Sequence, residues 1–405
     1  MVKIAVLGYG TVGSGVAEVI RTNQKSIDAR IGEPIQIKYV LDLREFPGDP
    51  VQEILVHDFN IILNDPEVDI VVEVMGGVEP AYTFVRKAME AGKSTCTSNK
   101  ALVAAKGREL MQLAEEKNVN FLFEASCGGG IPIIRVLNTS LTADVVDEIT
   151  GILNGTTNYM LYKMSTQGSN FDEVLKEAQK KGYAEADPTA DVEGYDACRK
   201  IAILSSLAYG KFLNYEDIYT EGITKITPEY MAYSRELVMA IKLLGTSRQS
   251  ADHEGFYAMV APFLVPSENP LYNVNDVFNA IFVHGNMLGD AMFYGSGAGK
   301  LPTASAVVAD VIDAAKHRHI YLRTNWSSES MHVLPMDEVE GRFFTRVGGK
   351  DQAAVKELFP GASFTEVPEL TEEFGFSSEN MTQGEYQARI ARLEAPVLGM
   401  IRIKD

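Results

Sequence analysis

The residues best suited to chemistry lie in an acidic stretch between positions 178 and 200. Five carboxylates and a lysine follow one another there: Glu185, Asp187, Asp191, Glu193, Asp196 and Lys200. We expect a helix that begins near Asp191, and it would place the last two on one face, because they are four residues apart. A lysine ammonium can stabilise an oxyanion and donate a proton, and carboxylates can bind an ammonium group. Taken alone, however, the stretch is better explained as a solvated helix face with a surface ion pair.

Two other polar segments could contribute to a site. Residues 151–159 form a glycine-broken run that follows a strand, and its small residues and hydroxyls suit close backbone contact with a small polar ligand. Residues 97–102 place Lys100 soon after a sheet strand. By themselves, the first segment is typical of a loop with a helix cap, and the second of a solvated loop.

A glycine pattern near the N-terminus is typical of dinucleotide binding. Residues 8–13 read Gly-Tyr-Gly-Thr-Val-Gly and lie between an expected strand and an expected helix. Each position has a role in such a turn: Gly8 permits the tight bend, Gly10 lets the backbone approach a pyrophosphate, and Gly13 allows close helix–strand packing. Thr11 and Val12 begin the helix, whose free N–H groups attract phosphate. We therefore expect a Rossmann domain that binds NAD or NADP.

The end of the second strand bears on the choice of cofactor. Asp42 can accept hydrogen bonds from the adenosine ribose, which favours NAD, whereas Arg44 can pair with a 2′-phosphate, which favours NADP. Because a carboxylate repels a phosphate, Asp42 shifts the expectation toward NAD. Both residues could also be a solvated strand end.

Composition excludes several classes of function. The net charge of −18 argues against nucleic acid or an anionic membrane surface as a partner. No apolar run approaches the roughly 18 residues of a membrane span, and the N-terminus is typical of a strand instead of a signal peptide. Cys96, Cys127 and Cys198 form no metal-binding spacing, so we expect free thiols in a reducing cytoplasm.

The order of expected elements indicates an α/β protein of several domains. The first ~130 residues alternate strands and helices, as a doubly wound parallel sheet requires. Strands are expected over Ile35–Leu41 and Phe121–Ala125, among others, and a helix over Gly107–Lys117. A helix over Thr303–Ala315 follows a glycine-rich stretch. The C-terminal residues show the order strand, helix, turn or strand, helix, strand, and the last strand is expected over Val397–Ile403. We expect a dinucleotide-binding domain over 1–130 plus about 296–320, a second α+β domain over 131–295, and a small α+β domain over 335–405.

Read in order, these segments closely resemble the homoserine dehydrogenase family. The resemblance is carried by Ala178, Gly182–Ala184, Asp187–Pro188, Asp191–Val192, Gly194, Asp196 and Lys200, by residues 123–126 and 128–132, and by Gly297–Gly299 with Pro302–Ala306. It covers about residues 1–320. The resemblance implies interconversion of L-homoserine and L-aspartate 4-semialdehyde, in threonine and methionine biosynthesis, by a homodimer or homotetramer whose second domain binds substrate and dimerises.

The resemblance also assigns roles to residues. It implies that Lys200 and Lys100 are catalytic, and Lys100 and Gly297 also join the cofactor-binding set. The substrate-binding set would be Glu185, Asp191, Asp196, Tyr183, Gly155 and Thr156. A sodium ion would be held by carbonyls of Cys127, Gly129 and Ile131 and by an oxygen of Glu124. Backbone ligation would explain a cysteine at position 127, since only its carbonyl is needed.

Some features depart from the family pattern and leave alternatives open. Family members often have an arginine directly after the second strand, where this chain has Asp42, so the preference for NADP is in doubt. Residues 335–405 resemble a diverged ACT domain, without the usual turn, and binding of threonine or another amino-acid effector stays open. The alternative functions are another Rossmann dehydrogenase, acting on a semialdehyde or a sugar, and a redox sensor without turnover. The sensor would need a basic interaction module that this chain lacks.

Overall fold

A computed structural model describes residues 1–250 and 255–404 of the 405-residue chain. Its strands are β1 Val2–Leu7, β2 Ile35–Leu41, β3 Leu55–Val56, β4 Ile70–Glu73, β5 Ser94–Thr97, β6 Phe121–Leu122, β7 Val146–Ile152, β8 Gly210–Phe212, β9 Tyr219–Thr220, β10 Met239–Gln249, β11 Phe256–Pro266, β12 Phe278–Gly285, β13 Gly289–Ser296, β14 Trp326–Ser330, β15 Glu340–Gly348, β16 Ser363–Thr365, β17 Glu373–Ser377, β18 Met381–Thr382 and β19 Val397–Ile403. Its helices are α1 Thr11–Ile31, α2 Phe59–Leu63, α3 Ala81–Glu90, α4 Lys100–Lys117, α5 Ile134–Thr139, α6 Gly155–Gln167, α7 Phe171–Lys180, α8 Thr189–Val192, α9 Tyr195–Tyr209, α10 Pro228–Glu236, α11 Lys300–Lys316, α12 Ala353–Leu358 and α13 Gln383–Ile390.

Packing divides the chain into two compact units. The first unit comprises Met1–Val145, Ala202–Asn214 and Phe293–Ser330, and the second comprises Val146–Ile201, Tyr215–Met292 and Met331–Asp405. The expected borders near 130 and 295 differ from these limits, and residues 335–405 share a unit with β7, β10 and β11. The division into three domains by function stays a prediction. Residue 405, at the end of the third predicted domain, lies outside the described residues. Within 1–250 and 255–404, no helix is long and apolar enough to cross a bilayer.

The first unit is built on a six-stranded parallel sheet of order β3-β2-β1-β4-β5-β6. This is the strand order of the doubly wound dinucleotide-binding fold, so the expected Rossmann sheet is confirmed. Alternate residues of β1 face two apolar cores. Val2, Ile4 and Val6 pack in the core that includes residues of α1 and α11, and Ala5 and Leu7 pack in the other.

Helix α11 belongs to the first unit although it lies far along the chain. Gly15 of α1 allows the close contact, since a Cβ there would lie 2.8 Å from the Lys300 carbonyl oxygen. The chain therefore returns to the first unit at Phe293–Ser330. Two expected elements differ in extent. Helix α4 begins at Lys100, seven residues before the predicted start, and the strand expected over Phe121–Ala125 ends at Leu122 because residues 124–126 turn into a short 3₁₀-helix.

The second unit is built on a mixed sheet in which the order β12-β7-β10-β11 is antiparallel. Helices α6 and α10 pack against β10. The helix expected to start near Asp191 is two helices, α8 and α9, because Gly194 adopts a φ of +83° between them.

The C-terminal segment has the order β15-α12-β16-β17-α13-β19, apart from the short β18, which confirms the expected α+β pattern. It has its own aromatic core, formed by Phe343, Phe359, Phe374, Phe376 and Tyr386 among others. Its last strand, β19, pairs in parallel with β11, so the segment extends the sheet of the second unit. Arg346 of β15 is buried and donates two hydrogen bonds to the carboxylate of Glu373.

Candidate active site

The turn after β1 in the first unit has the geometry of a phosphate cradle. Gly8 adopts a φ of +95°, and a Cβ on Gly13 would lie 2.0 Å from the Gly8 carbonyl oxygen. A Cβ on Gly10 would meet nothing within 4 Å, so its backbone faces open space. Thr11 and Val12 begin α1, and no side chain caps that helix start. Unsatisfied N–H groups and the helix dipole there attract an anion.

Asp42 and Arg44 are bound to each other. The Arg44 Nε and Nη2 donate to the two Asp42 carboxylate oxygens at 3.0 and 2.9 Å, and the Tyr9 backbone N–H donates to Oδ2 at 2.8 Å. The guanidinium, with these N–H groups, holds the pKa of the Asp42 carboxyl well below its usual range. The two residues that sequence reasoning treated as rival determinants of cofactor choice therefore form one ion pair.

Lys100 lies at the start of a helix, where we had expected a loop. It is the first residue of α4, and the Asn99 side chain caps that helix by accepting from the Leu102 N–H at 3.1 Å. A cation at a helix N-terminus is unfavourable with respect to the helix dipole. This placement fits a lysine held for chemistry better than one placed for helix stability.

Glu73, a residue that sequence reasoning missed, is buried at the end of β4. Its carboxylate accepts from the Met75 N–H at 2.7 Å and from the Thr97 hydroxyl at 2.6 Å. Burial raises its pKa despite these hydrogen bonds. The signal was present in the sequence, because Glu73 is the one acid in the otherwise apolar strand Ile-Val-Val-Glu. It ties the chain after β4 to the end of β5, close to the segment that carries Lys100.

The second unit holds a buried lysine–carboxylate network. Lys200 and Asp196 lie one turn apart on α9, and both are buried. The Lys200 Nζ donates to Asp196 Oδ2 at 2.7 Å and to the Leu153 carbonyl oxygen at 2.7 Å. Solvent and salt screen the attraction within a buried pair much less than that within a solvated pair. The interpretation as a surface ion pair is therefore wrong for these two residues.

Asn154, which sequence reasoning also missed, joins the two parts of the acidic stretch. Its Nδ2 donates to Asp191 Oδ1 at 2.7 Å and to Asp196 Oδ2 at 2.9 Å, and its Oδ1 caps α6 by accepting from the Thr157 N–H. One side chain thus fixes both the helix that begins at Gly155 and the two carboxylates. The sequence signal was an asparagine directly before a Gly-Thr-Thr helix start, which is typical of an N-cap.

The other residues expected to bind the substrate differ in their contacts and in their exposure to solvent. The Thr156 hydroxyl donates to the Tyr183 carbonyl oxygen at 2.6 Å, and the Tyr183 ring packs edge-on against Tyr159. Gly155 allows a close approach, since a Cβ there would lie 2.7 Å from the Val277 carbonyl oxygen. Glu185 is exposed, and within residues 1–250 and 255–404 its side chain forms no hydrogen bond to this network.

The turn expected to bind sodium is rich in backbone oxygens. Gly129 adopts a φ of +56°, and a Cβ there would lie 2.5 Å from the Gly297 carbonyl group. Glu124 is buried, and its carboxylate accepts the N–H groups of Ile133, Ile134 and Arg135 at 2.7–2.9 Å. That carboxylate is therefore engaged by the start of α5. In the described part of the chain, no group of three His, Cys, Asp or Glu side chains could hold a metal ion, so a cation here would depend on carbonyls.

Comparison with known proteins matches both units. One family model, homoserine dehydrogenase, matches residues 132–312, and another, the homoserine dehydrogenase NAD-binding domain, matches residues 8–124. A homoserine dehydrogenase from Neisseria gonorrhoeae is 44% identical over 361 residues, which cover 87% of this chain and 82% of that protein. One from Bacillus subtilis is 38% identical and covers 94% of this chain and 87% of that protein.

Solved structures agree. The crystal structure of a homoserine dehydrogenase from Thiobacillus denitrificans has a TM-score of 0.91 and 36% identity, over 100% of this chain and 98% of that chain. A hyperthermophilic archaeal homoserine dehydrogenase, solved in complex with NADPH, has a TM-score of 0.65 and 28% identity, over 77% of this chain and 97% of that chain.

Proposed function

The chain belongs to the homoserine dehydrogenase family, and we propose that it interconverts L-homoserine and L-aspartate 4-semialdehyde with a nicotinamide cofactor in threonine and methionine biosynthesis. The observation that best supports the site assignment is the network of the buried Lys200, Asp196 and Asn154 with the half-buried Asp191. A lysine held by a carboxylate, beside a second carboxylate, suits an amino-acid substrate whose reacting group is a carbonyl or an alcohol.

The substrate is a zwitterion, and the second unit offers complementary groups. We assign its ammonium to Asp191, with Glu185 as a second carboxylate that completes the site when substrate binds. The N–H groups of Gly155 and Thr156 at the start of α6 suit the substrate carboxylate, because a helix N-terminus attracts anions. Tyr183 borders this segment through the Thr156 hydrogen bond.

We assign to a lysine the donation of the proton that the reaction requires. When the semialdehyde is reduced, its carbonyl carbon gains a hydride and its oxygen gains a proton, which gives the alcohol of homoserine. A nicotinamide, when bound, would supply or accept the hydride. Lys200 is held at its Nζ by Asp196 and the Leu153 carbonyl, so its ammonium is positioned to donate that proton. Lys100 is the alternative donor, and its position at the start of α4 supports a functional role.

We assign dinucleotide binding to Gly8, Gly10, Thr11, Val12 and Gly13, with Lys100 and Gly297 in the same set. NAD is the preferred cofactor in this proposal, because the Asp42 carboxylate lies directly beside the Tyr9 backbone N–H of the turn. Use of NADP would require Arg44 to leave Asp42 and pair with the 2′-phosphate.

The 124–131 turn fits a sodium ion in the chemistry of its donors. Because the Glu124 carboxylate is engaged by α5, its ligand would be the backbone oxygen, alongside the carbonyls of Cys127, Gly129 and Ile131. In this proposal the ion fixes the turn and takes no part in proton or hydride transfer.

Assembly, location and regulation follow from family resemblance and stay proposals. We propose a homodimer or homotetramer in the cytoplasm, and the three buried cysteines, which form no disulfide with one another, are consistent with a reducing compartment. The C-terminal segment is proposed to bind an amino-acid effector such as threonine. A thermal shift with L-threonine, absent with D-threonine, would support this, and the absence of both binding and inhibition would contradict it.

The function is tested by absorbance at 340 nm. The protein is mixed with L-homoserine and NAD⁺ or NADP⁺, in the presence of sodium or potassium, and we expect reduced cofactor to form, with the equilibrium favouring homoserine near neutral pH. L-Serine, one methylene shorter, and a sugar alcohol serve as control substrates. No reduction of either cofactor by homoserine, in protein shown to be folded and to bind NAD⁺, would refute the assignment and favour the redox-sensor alternative.

A further inference from the structure

Lys242 is a buried lysine whose role the proposed function does not explain. It lies in β10 of the second unit, and only 2% of its surface is exposed. Its Nζ donates to the Val274 carbonyl oxygen, to Asn275 Oδ1 at 3.0 Å and to Asn158 Oδ1 at 3.4 Å. Burial alone lowers its pKa to about 8. Among the described residues, the acceptors of the ammonium are neutral oxygens, and none is a carboxylate that would offset its desolvation.

Asn158 of α6 binds the same stretch of chain. Its Nδ2 donates to the carbonyl oxygens of Val274, Asp276 and Phe278, at 3.1, 3.0 and 3.0 Å. We call residues 274–278 the carbonyl loop. Its carbonyls converge on two buried donors, and Val274 is shared by both. The loop is therefore fixed to β10 by a charged group and to α6 by an amide.

The carbonyl loop contacts the helix start assigned to the substrate. The Val277 carbonyl oxygen lies 2.7 Å from where a Cβ of residue 155 would be, and Asn279 Oδ1 lies 3.5 Å from it. Asn279 is buried, and neither polar atom of its side chain has a hydrogen-bond partner in the described part of the chain. A shift of the loop would therefore change both the packing and the polar groups at Gly155.

Burying an ammonium group without a carboxylate partner is energetically unfavourable. Desolvation disfavours the charge, and hydrogen bonds to neutral oxygens offset it only in part. Methionine would fill nearly the same volume without that penalty. What the ammonium supplies, and methionine cannot, is attraction for several carbonyl oxygens at once.

We propose that Lys242 is a positioning residue for the reaction: together with Asn158 it holds the carbonyl loop against the start of α6, and so sets the shape of the homoserine-binding segment at Gly155 and Thr156. The inference rests on the proposed function for its substrate and extends the site to Lys242 and the carbonyl loop, which lie outside the segments assigned to the site above.

The matched test compares Lys242→Met with Lys93→Met. Lys93 is also buried and also donates to two carbonyl oxygens, those of Asp65 and Val68, but it lies in the first unit. We expect Lys242→Met to raise KM for homoserine roughly tenfold, the effect of one hydrogen bond to a charged group. Its kcat should fall less, and its KM for NAD should stay unchanged. Lys93→Met should leave KM for homoserine unchanged.

Hydrogen exchange gives a readout that does not depend on activity. In Lys242→Met the peptide covering 274–278 should exchange faster than in the wild-type protein, while peptides of the first unit do not change. Should the wild-type protein fail to oxidise homoserine, the proposed function falls, and this exchange experiment still decides whether Lys242 holds the loop. Equal exchange of 274–278 in the wild-type and Lys242→Met proteins would overturn the inference.

A second variant covers the case in which Lys242→Met does not fold. Asn275 is only half-buried, and Asn275→Leu removes one acceptor of the ammonium while it leaves the β10 core intact. We expect a smaller rise in KM for homoserine and faster exchange of 274–278. The inference is overturned if folded Lys242→Met or Asn275→Leu keeps the wild-type KM, or if Lys93→Met raises KM as much as Lys242→Met does.

Discussion

The dinucleotide turn of the first unit and the lysine–carboxylate network of the second are assembled in different ways. The turn is one continuous segment, residues 8–13, whose shape follows from small residues at fixed spacing. The network gathers Asn154 after β7, Asp191 on α8, and Asp196 and Lys200 on α9. A local turn depends on steric space, so adding a single Cβ should damage it. A network of distant residues depends on buried polar contacts, so removing one charge should damage it.

Removal of the charge at position 200 should have the largest effect. Lys200→Met keeps the aliphatic stem but cannot transfer a proton, so kcat should fall by roughly 10²–10⁴-fold, the usual contribution of general acid–base catalysis. The dissociation constant for NAD, measured by fluorescence titration, should be nearly unchanged. Lys106→Met, which breaks an exposed ion pair with Glu109, is the control and should keep wild-type kcat.

The same experiment separates the two candidate lysines. Lys100→Met is made in parallel. If it abolishes turnover while Lys200→Met is fully active, the proton donor is Lys100 and the roles proposed above are reversed. If both variants keep wild-type kcat, neither lysine transfers the proton.

Adding a methyl group should test the local turn. Gly13→Ala would bring a Cβ to 2.0 Å from the Gly8 carbonyl oxygen, a contact that the turn can accommodate only by moving. Overpacking of this kind costs about 1–3 kcal/mol, and NAD binding should weaken by roughly 10–100-fold if that strain falls on the turn.

Gly10→Ala is the informative partner of this variant. Its Cβ would meet nothing within 4 Å, so thermal stability should be retained while NAD binding weakens, because the methyl group occupies the space left for phosphate. Equal affinity for NAD in Gly10→Ala and in the wild-type protein would contradict the proposed position of the pyrophosphate.

Neutralising a single carboxylate tests the network of the second unit. Asp191→Asn keeps the shape but removes the charge assigned to the substrate ammonium, and KM for homoserine should rise roughly tenfold, the order expected for a charge-assisted hydrogen bond. Asp187→Asn is the matched control from the same stretch. Asp187 is exposed, and within residues 1–250 and 255–404 its side chain accepts hydrogen bonds from Thr189 alone, so KM for homoserine should not change in this variant. Similar KM values for the two variants would indicate that Asp191, like Asp187, is a solvated carboxylate and does not bind the substrate ammonium.

The difference between a local turn and a network of distant residues also explains how much of each region the sequence could predict. The Rossmann sheet, α1 and the glycine turn were predictable because periodicity and spacing are local, and the bounds of β2 and β19 match the expected strands residue for residue. Asn154 and Glu73 were missed because a single polar residue gives no periodic signal, and its importance becomes evident only when burial and partners are known. The pairing of Lys200 with Asp196 was predictable from i, i+4 spacing, but its burial was not, since burial depends on the sheet beneath α9.

The smallest expected effect concerns Asp42, where a local pair controls a choice between two cofactors. Both Asp42 oxygens accept hydrogen bonds from Arg44, so the carboxylate neutralises a neighbouring cation that is suited to a 2′-phosphate. Asp42→Ala should weaken NAD binding by loss of the ribose contact, and it should also release Arg44, which is exposed and can turn toward a phosphate. The ratio of kcat/KM for NAD over NADP should therefore fall, by roughly tenfold for one ion pair exchanged. Arg44→Ala is the opposing variant: it leaves Asp42 charged and unpaired, so the ratio should rise. If both variants keep the wild-type ratio, the pair lies outside the cofactor site and only terminates β2.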